Sequence, residues 1–205
     1  MNEPVPPPAA VVIEVSELSA ADRHEYAAVS IAYCVTHRVV AETTDGGGLR
    51  CDRVDKVAIP YWKDYDALPG MSPLAWADRS DFGEWGLFVA RRSGFAVAGI
   101  AIAPWASGLG PATAPRTSAT VFDLRVAPNV RGRGVGTALF HAAEQWAVGR
   151  GHDSVMVESQ DVNVAACRFY QKMDCRLATF DQQDYPEVPG EKRLVWHRSL
   201  EIARS

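Results

Sequence analysis

The six residues Arg131-Gly132-Arg133-Gly134-Val135-Gly136 limit what this chain can fold into more than any other feature. An apolar periodicity at helical spacing follows them, with Val135, Leu139, Ala142, Ala143 and Trp146 on one face. Gly149 and Gly151 are natural stops for that helix. A β-prone run, Ser118–Val126, comes before, and Pro128 in the connector Ala127–Val130 ends its ladder. Glycines let the backbone approach a ligand closely and adopt positive φ. Successive amides in such a turn converge on an anion, and the helix N-terminus adds partial positive charge. Arg131 and Arg133 can pair with phosphate. The spacing therefore predicts a phosphate or pyrophosphate loop; a turn that only packs tightly is the plainer alternative.

The kind of phosphate ligand follows from what surrounds the loop. A nucleoside-triphosphate loop needs Gly, four residues, then Gly-Lys-Ser/Thr, and no such run occurs. A dinucleotide fold needs Gly-x-Gly-x-x-Gly directly after its strand, whereas here the spacing is Gly132-x-Gly134-x-Gly136 and a connector intervenes. Glu158 does stand about 20 residues on, where a ribose-binding acid is expected. A dinucleotide-binding oxidoreductase thus stays open as an alternative.

Elsewhere the pattern predicts a mixed sheet with helices on its faces. Val11–Val15 reads as a first strand. Ser19, with Asp22 three residues later, reads as the cap of a helix carrying Tyr26, Ile31 and Val35. Asp45-Gly46-Gly47-Gly48 breaks regularity, and residues 57–85, rich in aromatics, carboxylates and prolines, take no clear assignment. Trp85–Ala90 and Phe95–Ala103 read as a hairpin, and residues 105–117 as a mobile loop. Ser154–Ser159 is a short strand, Asn163 can cap a helix that buries Ala166, Phe169 or Tyr170, and Met173, and Arg176–Phe180 and Arg193–Leu200 close the sheet. Residues 1–10 read as a flexible, proline-rich tail and 11–205 as one domain.

Bulk properties narrow the function classes. The formal net charge is −4, which speaks against a nucleic-acid partner. Cys34, Cys51, Cys167 and Cys175 form no metal-ligand spacing and no disulfide framework, so no metal is expected and the thiols read as reduced. The start lacks the basic and apolar regions of a signal peptide, and no run is long enough to span a bilayer. The expected setting is the cytoplasm, without a membrane partner. The five histidines are scattered, His141 reads as a surface residue, and nothing marks Cys167 as a nucleophile.

Arg131-x-x-Gly134-x-Gly136 at a strand-to-helix junction resembles the acetyl-CoA signature of the GCN5-related N-acetyltransferases, the GNAT family. The run from Glu158 through Asn163 and Tyr170 to Lys172 resembles the strand, turn and helix that follow in that family, and its wording is similar to the streptothricin acetyltransferase branch. Met173-Asp174-Cys175 departs from a Gly-Phe pair that many members carry. The likeness covers roughly residues 85–200, which it makes the cofactor half, with acceptor-side elements in roughly 16–85. It implies an α/β (α+β) fold with a mostly antiparallel sheet and two parallel strands that splay around the cofactor's pantetheine arm. Leu124, Arg125 and Val126 then offer backbone groups to that arm. Amides of Arg131, Gly132, Arg133, Gly134, Val135, Gly136 and Thr137 hold the pyrophosphate, and Asn163, which can also be a plain helix cap, bonds the pantetheine or acetyl end.

By the same resemblance Tyr170 is the general acid, protonating the thiolate that acetyl transfer expels; the plainer alternative is a core tyrosine. The amine must lose a proton before it attacks, and Asp123 or Glu84 are the candidate bases, although Asp123 can equally face solvent or pair with an arginine. Transfer is expected to be direct, without an acetyl-enzyme. The aromatics and acids between Pro60 and Trp85 suit a small cationic amine such as a streptothricin-like antibiotic, or are an ordinary packed loop. A protein or peptide acceptor and a non-catalytic acetyl-CoA-binding module stay open, as do a monomer and a homodimer.

Overall fold

The computed structural model describes residues 14–79, 81–107, 114–184 and 190–201. The expected tail over 1–10 lies outside them. The elements in chain order are β1 (Glu14–Glu17), α1 (Arg23–Ala27), β2 (Tyr33–Thr43), β3 (Leu49–Lys63), β4 (Gly86–Arg92), β5 (Phe95–Pro104), β6 (Ser118–Val126), α2 (Val135–Gly149), β7 (Ser154–Gln160), α3 (Val164–Lys172), β8 (Arg176–Asp184) and β9 (Lys192–Ser199). Seven strands form one sheet in the order β1-β4-β5-β6-β7-β9-β8, and β2 and β3 form a separate hairpin. Among the described strands only β6 and β7 run parallel; a doubly wound dinucleotide fold needs a mostly parallel sheet, so that alternative falls.

Both faces of the sheet are covered. On one, Leu139, Phe140, Ala143 and Trp146 of α2 pack with Ile100, Ile102, Val121, Val155 and Val157, and each large side chain so buried contributes about 1.5–3 kcal/mol. On the other, Tyr26, Trp76, Phe82 and Trp85 pack with Leu87, Val89, Ala101 and Phe122. Gly99 of β5 is required there, because a Cβ would stand 2.5 Å from the Tyr26 ring.

The sequence reading of the acceptor side needs correction. Ser19 does cap a turn, its Oγ accepting from Ala21 N at 3.2 Å, but the helix ends at Ala27. Ile31 lies in the connector, and Val35 lies in β2, opposite Tyr61 of β3. Apolar residues four or five apart suggest a helix, and cross-strand pairing overrides them. Asp45–Gly48 is the tip of that hairpin, with Gly47 at φ 78°. The register jumps from Val35↔Tyr61 to His37↔Lys56, leaving residues 57–60 of β3 without partners on β2; Pro60, which has no N–H to give a ladder, falls in this gap. Residues 64–85 hold three 3-10 turns, Tyr65–Ala67, Ala75–Asp78 and Phe82–Glu84. Of the loop over 105–117, Trp105–Ser107 is a further 3-10 turn, and 108–113 lie outside the described residues.

The hairpin is fixed to the main sheet by polar contacts. Lys63 Nζ pairs with Glu191 Oε2 at 2.5 Å, both side chains buried, and Tyr61 donates to the other oxygen of Glu191 at 2.8 Å. Val39 N donates to Asp161 O at 2.8 Å, and Tyr65 donates its hydroxyl proton to Gln160 Oε1. No helix among the described residues is long and apolar enough to cross a membrane.

Candidate active site

The parallel pairing of β6 and β7 runs only from Ser118↔Ser154 to Val121↔Val157. Both strands continue, to Val126 and Gln160, without facing each other, so they diverge. A bulge marks the point of divergence: Ile102 pairs with Val121 and Ala101 with Asp123, skipping Phe122. An extra residue on one strand raises the local twist, and beyond it one edge of β6 carries backbone N–H and C=O groups that no strand takes up.

A cleft of about 840 Å³ opens from this gap. One wall comprises Leu124, Arg125, Val126, Arg131, Gly132, Gly134, Val135, Gly136 and Thr137, together with Asn163 and Tyr170 of the α3 region. Arg133 is exposed and is the one expected binding residue outside the lining. Gly132 and Gly134 adopt φ 72° and 81°, and a Cβ on either would meet nothing within 4 Å, so their space is open to a ligand. Gly136 differs: it lies in α2 with ordinary φ, and a Cβ there would touch Phe169 at 3.4 Å. Gly134 caps α2 without a side-chain hydrogen bond, and the first turn holds no acid. The leading amides of the helix thus lack an intrachain acceptor, which is the donor set that a pyrophosphate requires.

Asn163 Oδ1 caps α3 by accepting from Ala166 N at 3.1 Å. Its amide N–H₂ belongs to a residue that lines this cleft and a second one. Tyr170 also lines both and is 5% exposed. Its ring packs among Phe140, Phe169 and Trp196, and its hydroxyl has no hydrogen-bond partner among the described residues. Burial pushes its pKa well above the usual phenol range, with neighbouring thiols and Asp123 adding to the shift.

The second cleft, about 140 Å³, lies beyond Tyr170 and is lined by Tyr65, Trp76, Thr120, Phe122, Asp123 and Glu158 among others. Asp123 is in it, but its carboxylate is already engaged. Tyr26 donates to Oδ1 at 2.5 Å, and Arg125 donates to both oxygens at 2.8 and 2.9 Å. Arg125, with a fully buried side chain, also forks onto Asp66 at 2.9 and 3.0 Å and donates to Val29 O at 3.0 Å. Burial opposes its charge, yet the bonds and charge of Asp123 outweigh that and raise its pKa. Glu84 is exposed and lines neither cleft. Sequence reasoning missed Glu158 as part of this cleft, having weighed it only as a ribose ligand. It also missed Asp66, the Thr120 hydroxyl, which is buried without a partner, and the hairpin that walls the larger cleft with Tyr33, Cys34, His37 and Trp62. The glycine-rich tip between alternating runs was the available signal for the hairpin.

All four cysteines are free. Burial pushes the Cys51 thiol up to about 11 and those of Cys167 and Cys175 up to about 12. At pH 8 these values leave thiolate fractions on the order of 10⁻³ for Cys51 and 10⁻⁴ for Cys167 and Cys175, so burial disfavours the nucleophilic form of all three. Cys34 is exposed, and Ellman's reagent should label one thiol of the native protein quickly at pH 8 and the rest only in denaturant. Two or more fast thiols would contradict this burial pattern.

Comparison with known proteins gives three kinds of likeness. The sequence pattern described as Acetyltransferase (GNAT) family matches residues 53–174. Streptothricin acetyltransferase A of Bacillus subtilis is 37% identical over 81 residues, which are 38% of this chain and 47% of that protein; the chain thus spans about half the length of the curated relatives it matches. Among solved structures, a candidate streptothricin acetyltransferase from Bacillus anthracis, in complex with acetyl coenzyme A, superposes with a TM-score of 0.74 at 21% identity, covering 92% of this chain and 100% of that one. A nourseothricin acetyltransferase superposes with a TM-score of 0.67 at 23% identity, covering 92% and 99%. At such identities the structures speak for the fold.

Proposed function

Because the chain belongs to the GNAT acetyltransferase family, whose pattern covers more than half of its 205 residues, we propose that it transfers an acetyl group from acetyl-CoA to a primary amine of a small cationic molecule. One observation carries this reading: two clefts of opposite charge meet at Tyr170. The ionic residues of the larger are Arg125, Arg131, Arg168 and Lys172, with no carboxylate. Those lining the smaller are Asp123, whose charge Arg125 shares, and Glu158, whose Oε2 lies 3.8 Å from Arg193 Nη1. An anionic donor suits the first and an ammonium-bearing acceptor the second, where Tyr65, Trp76 and Phe122 add aromatic faces. The names of the curated relatives support a streptothricin-like acceptor.

The geometry supports one role for each residue. Amides of the Arg131–Thr137 segment hold the pyrophosphate, the open edge of β6 at Leu124–Val126 holds the pantetheine arm, and Asn163 donates from its amide. Asp123, bound by Arg125 and Tyr26, keeps the acceptor cleft in shape and supplies negative charge. Glu158 takes the proton from the entering ammonium, directly or through water. The neutral amine then attacks the thioester carbonyl; as the carbon–sulfur bond breaks, Tyr170 gives its proton to the sulfur, and the proton shed by the new amide nitrogen returns to the phenolate through water. Burial keeps the Tyr170 phenol protonated until a thiolate develops beside it.

The direct test is thiol release from acetyl-CoA across streptothricins, aminoglycosides, polyamines and peptides. Turnover is expected with small polycationic amines and not with neutral peptides. Turnover of peptides alone would move the function to protein acetylation, and binding of acetyl-CoA without any acetylated product would leave a non-catalytic module.

A further inference from the structure

The larger cleft holds more positive charge than its glycine loop accounts for. Arg168 and Lys172 stand one turn apart on α3, so both side chains leave the helix on the same side. Both are exposed and both line the cleft. Neither has an ion-pair partner among the described residues. Lys172, in the last turn, also answers the partial negative charge of the helix end; Arg168, in the middle, has no such explanation. Of the other two cations of the lining, one is neutralised within the fold and one borders the pyrophosphate loop. Arg125 is shared between Asp123 and Asp66, and Arg131 donates its Nε to Val126 O at 2.9 Å. The chain as a whole carries 25 acidic residues against 21 basic ones, so a carboxylate-free cleft with two uncommitted cations is not an accident of composition. It calls for an anion beyond the pyrophosphate.

We propose that Arg168 and Lys172 form a second anion site, which takes the 3′-phosphate on the adenosine ribose of the acetyl donor. The inference rests on the acetyl-CoA reading above. A phosphate monoester carries close to two charges at neutral pH, and a guanidinium and an ammonium side by side match it, one as a planar fork and one as a point charge. The pair then separates acetyl-CoA from acyl carriers that end in a bare ribose.

The test compares coenzyme A with 3′-dephospho-coenzyme A, by calorimetry at low salt, on the native protein and on Arg168→Gln/Lys172→Gln. Both positions are exposed, so the fold should tolerate the changes. The native protein is expected to bind coenzyme A about five- to thirtyfold more tightly than the dephospho form. In the double variant the two ligands should agree within about twofold, because only coenzyme A loses affinity. Raising salt from about 50 to about 500 mM should shrink the native ratio. A native ratio near one, or a variant that weakens both ligands alike, overturns the proposal. Binding of neither ligand by the native protein would bring down the acetyl-CoA reading itself.

Discussion

Replacing Tyr170 with Phe should slow acetyl transfer by roughly 10²- to 10⁴-fold while leaving the affinity for acetyl-CoA within about twofold. The structure makes this substitution clean. The hydroxyl has no hydrogen-bond partner among the described residues, so its removal breaks no bond within the fold. The ring keeps its packing against Phe140, Phe169 and Trp196. What disappears is the hydroxyl at the junction of the two clefts, the proton donor of the proposed reaction. Burial raises the pKa of this phenol, so the protonated form extends to higher pH than for a free tyrosine. Loss of the acid form should therefore not limit the rate anywhere below about pH 10, and any fall at lower pH belongs to another group. Steady-state rates of the variant from pH 6 to 10, with a separate binding measurement for acetyl-CoA, decide the matter. A change of less than about threefold at every pH would remove Tyr170 from the chemistry.

Arg125→Met should lower the unfolding free energy by about 3–5 kcal/mol, the usual cost of removing one partner from a buried ion pair. The guanidinium is fully buried and reaches three parts of the chain: Asp123 on its own strand, Asp66 in the turn after β3, and the Val29 carbonyl after α1. It also lies over the Tyr26 ring, 5.0 Å from its centroid. Taking it away leaves the buried Asp123 without its cation and releases the turn that carries Tyr65 to the acceptor cleft. Asp66→Asn should cost much less, because Asp123 remains and Asp66 is partly exposed. Urea denaturation of the two variants provides the comparison; a loss below about 1 kcal/mol for Arg125→Met would mean that Arg125 is not the centre of this cluster.

The glycine loop and the helices that flank β7 were readable from the sequence because their signals are local. The bounds of α2, the Asn163 cap and the loop between strand and helix each depend on residues within a few positions of one another, and all three appear where the pattern puts them. The acceptor half was not readable in this way. Arg125 meets Asp66 across 59 positions, and no periodicity announces such a pairing. Val35 sits at helical spacing from Ile31 yet pairs with Tyr61. The turns between Asp64 and Trp85 have neither a strand nor a helix period: the first is held by the polar bonds of Tyr65 and Asp66, and the later two by packing of Trp76, Phe82 and Trp85 against the sheet. Glu158 was visible, but only the divergence of β7 from β6 past Val157 shows which cleft it lines.

The meeting of a cationic cleft and an anionic one has a consequence for how turnover ends. Under the proposed reaction, an acceptor enters the smaller cleft as an ammonium ion and leaves as an amide. Acetylation erases the charge that drew it in, so on that reading Glu158 would hold the substrate and let the product go. Spent coenzyme A keeps every phosphate, and its grip on the other cleft is unchanged. Product departure is thus ordered by electrostatics, with the acetylated amine first and the thiol after it.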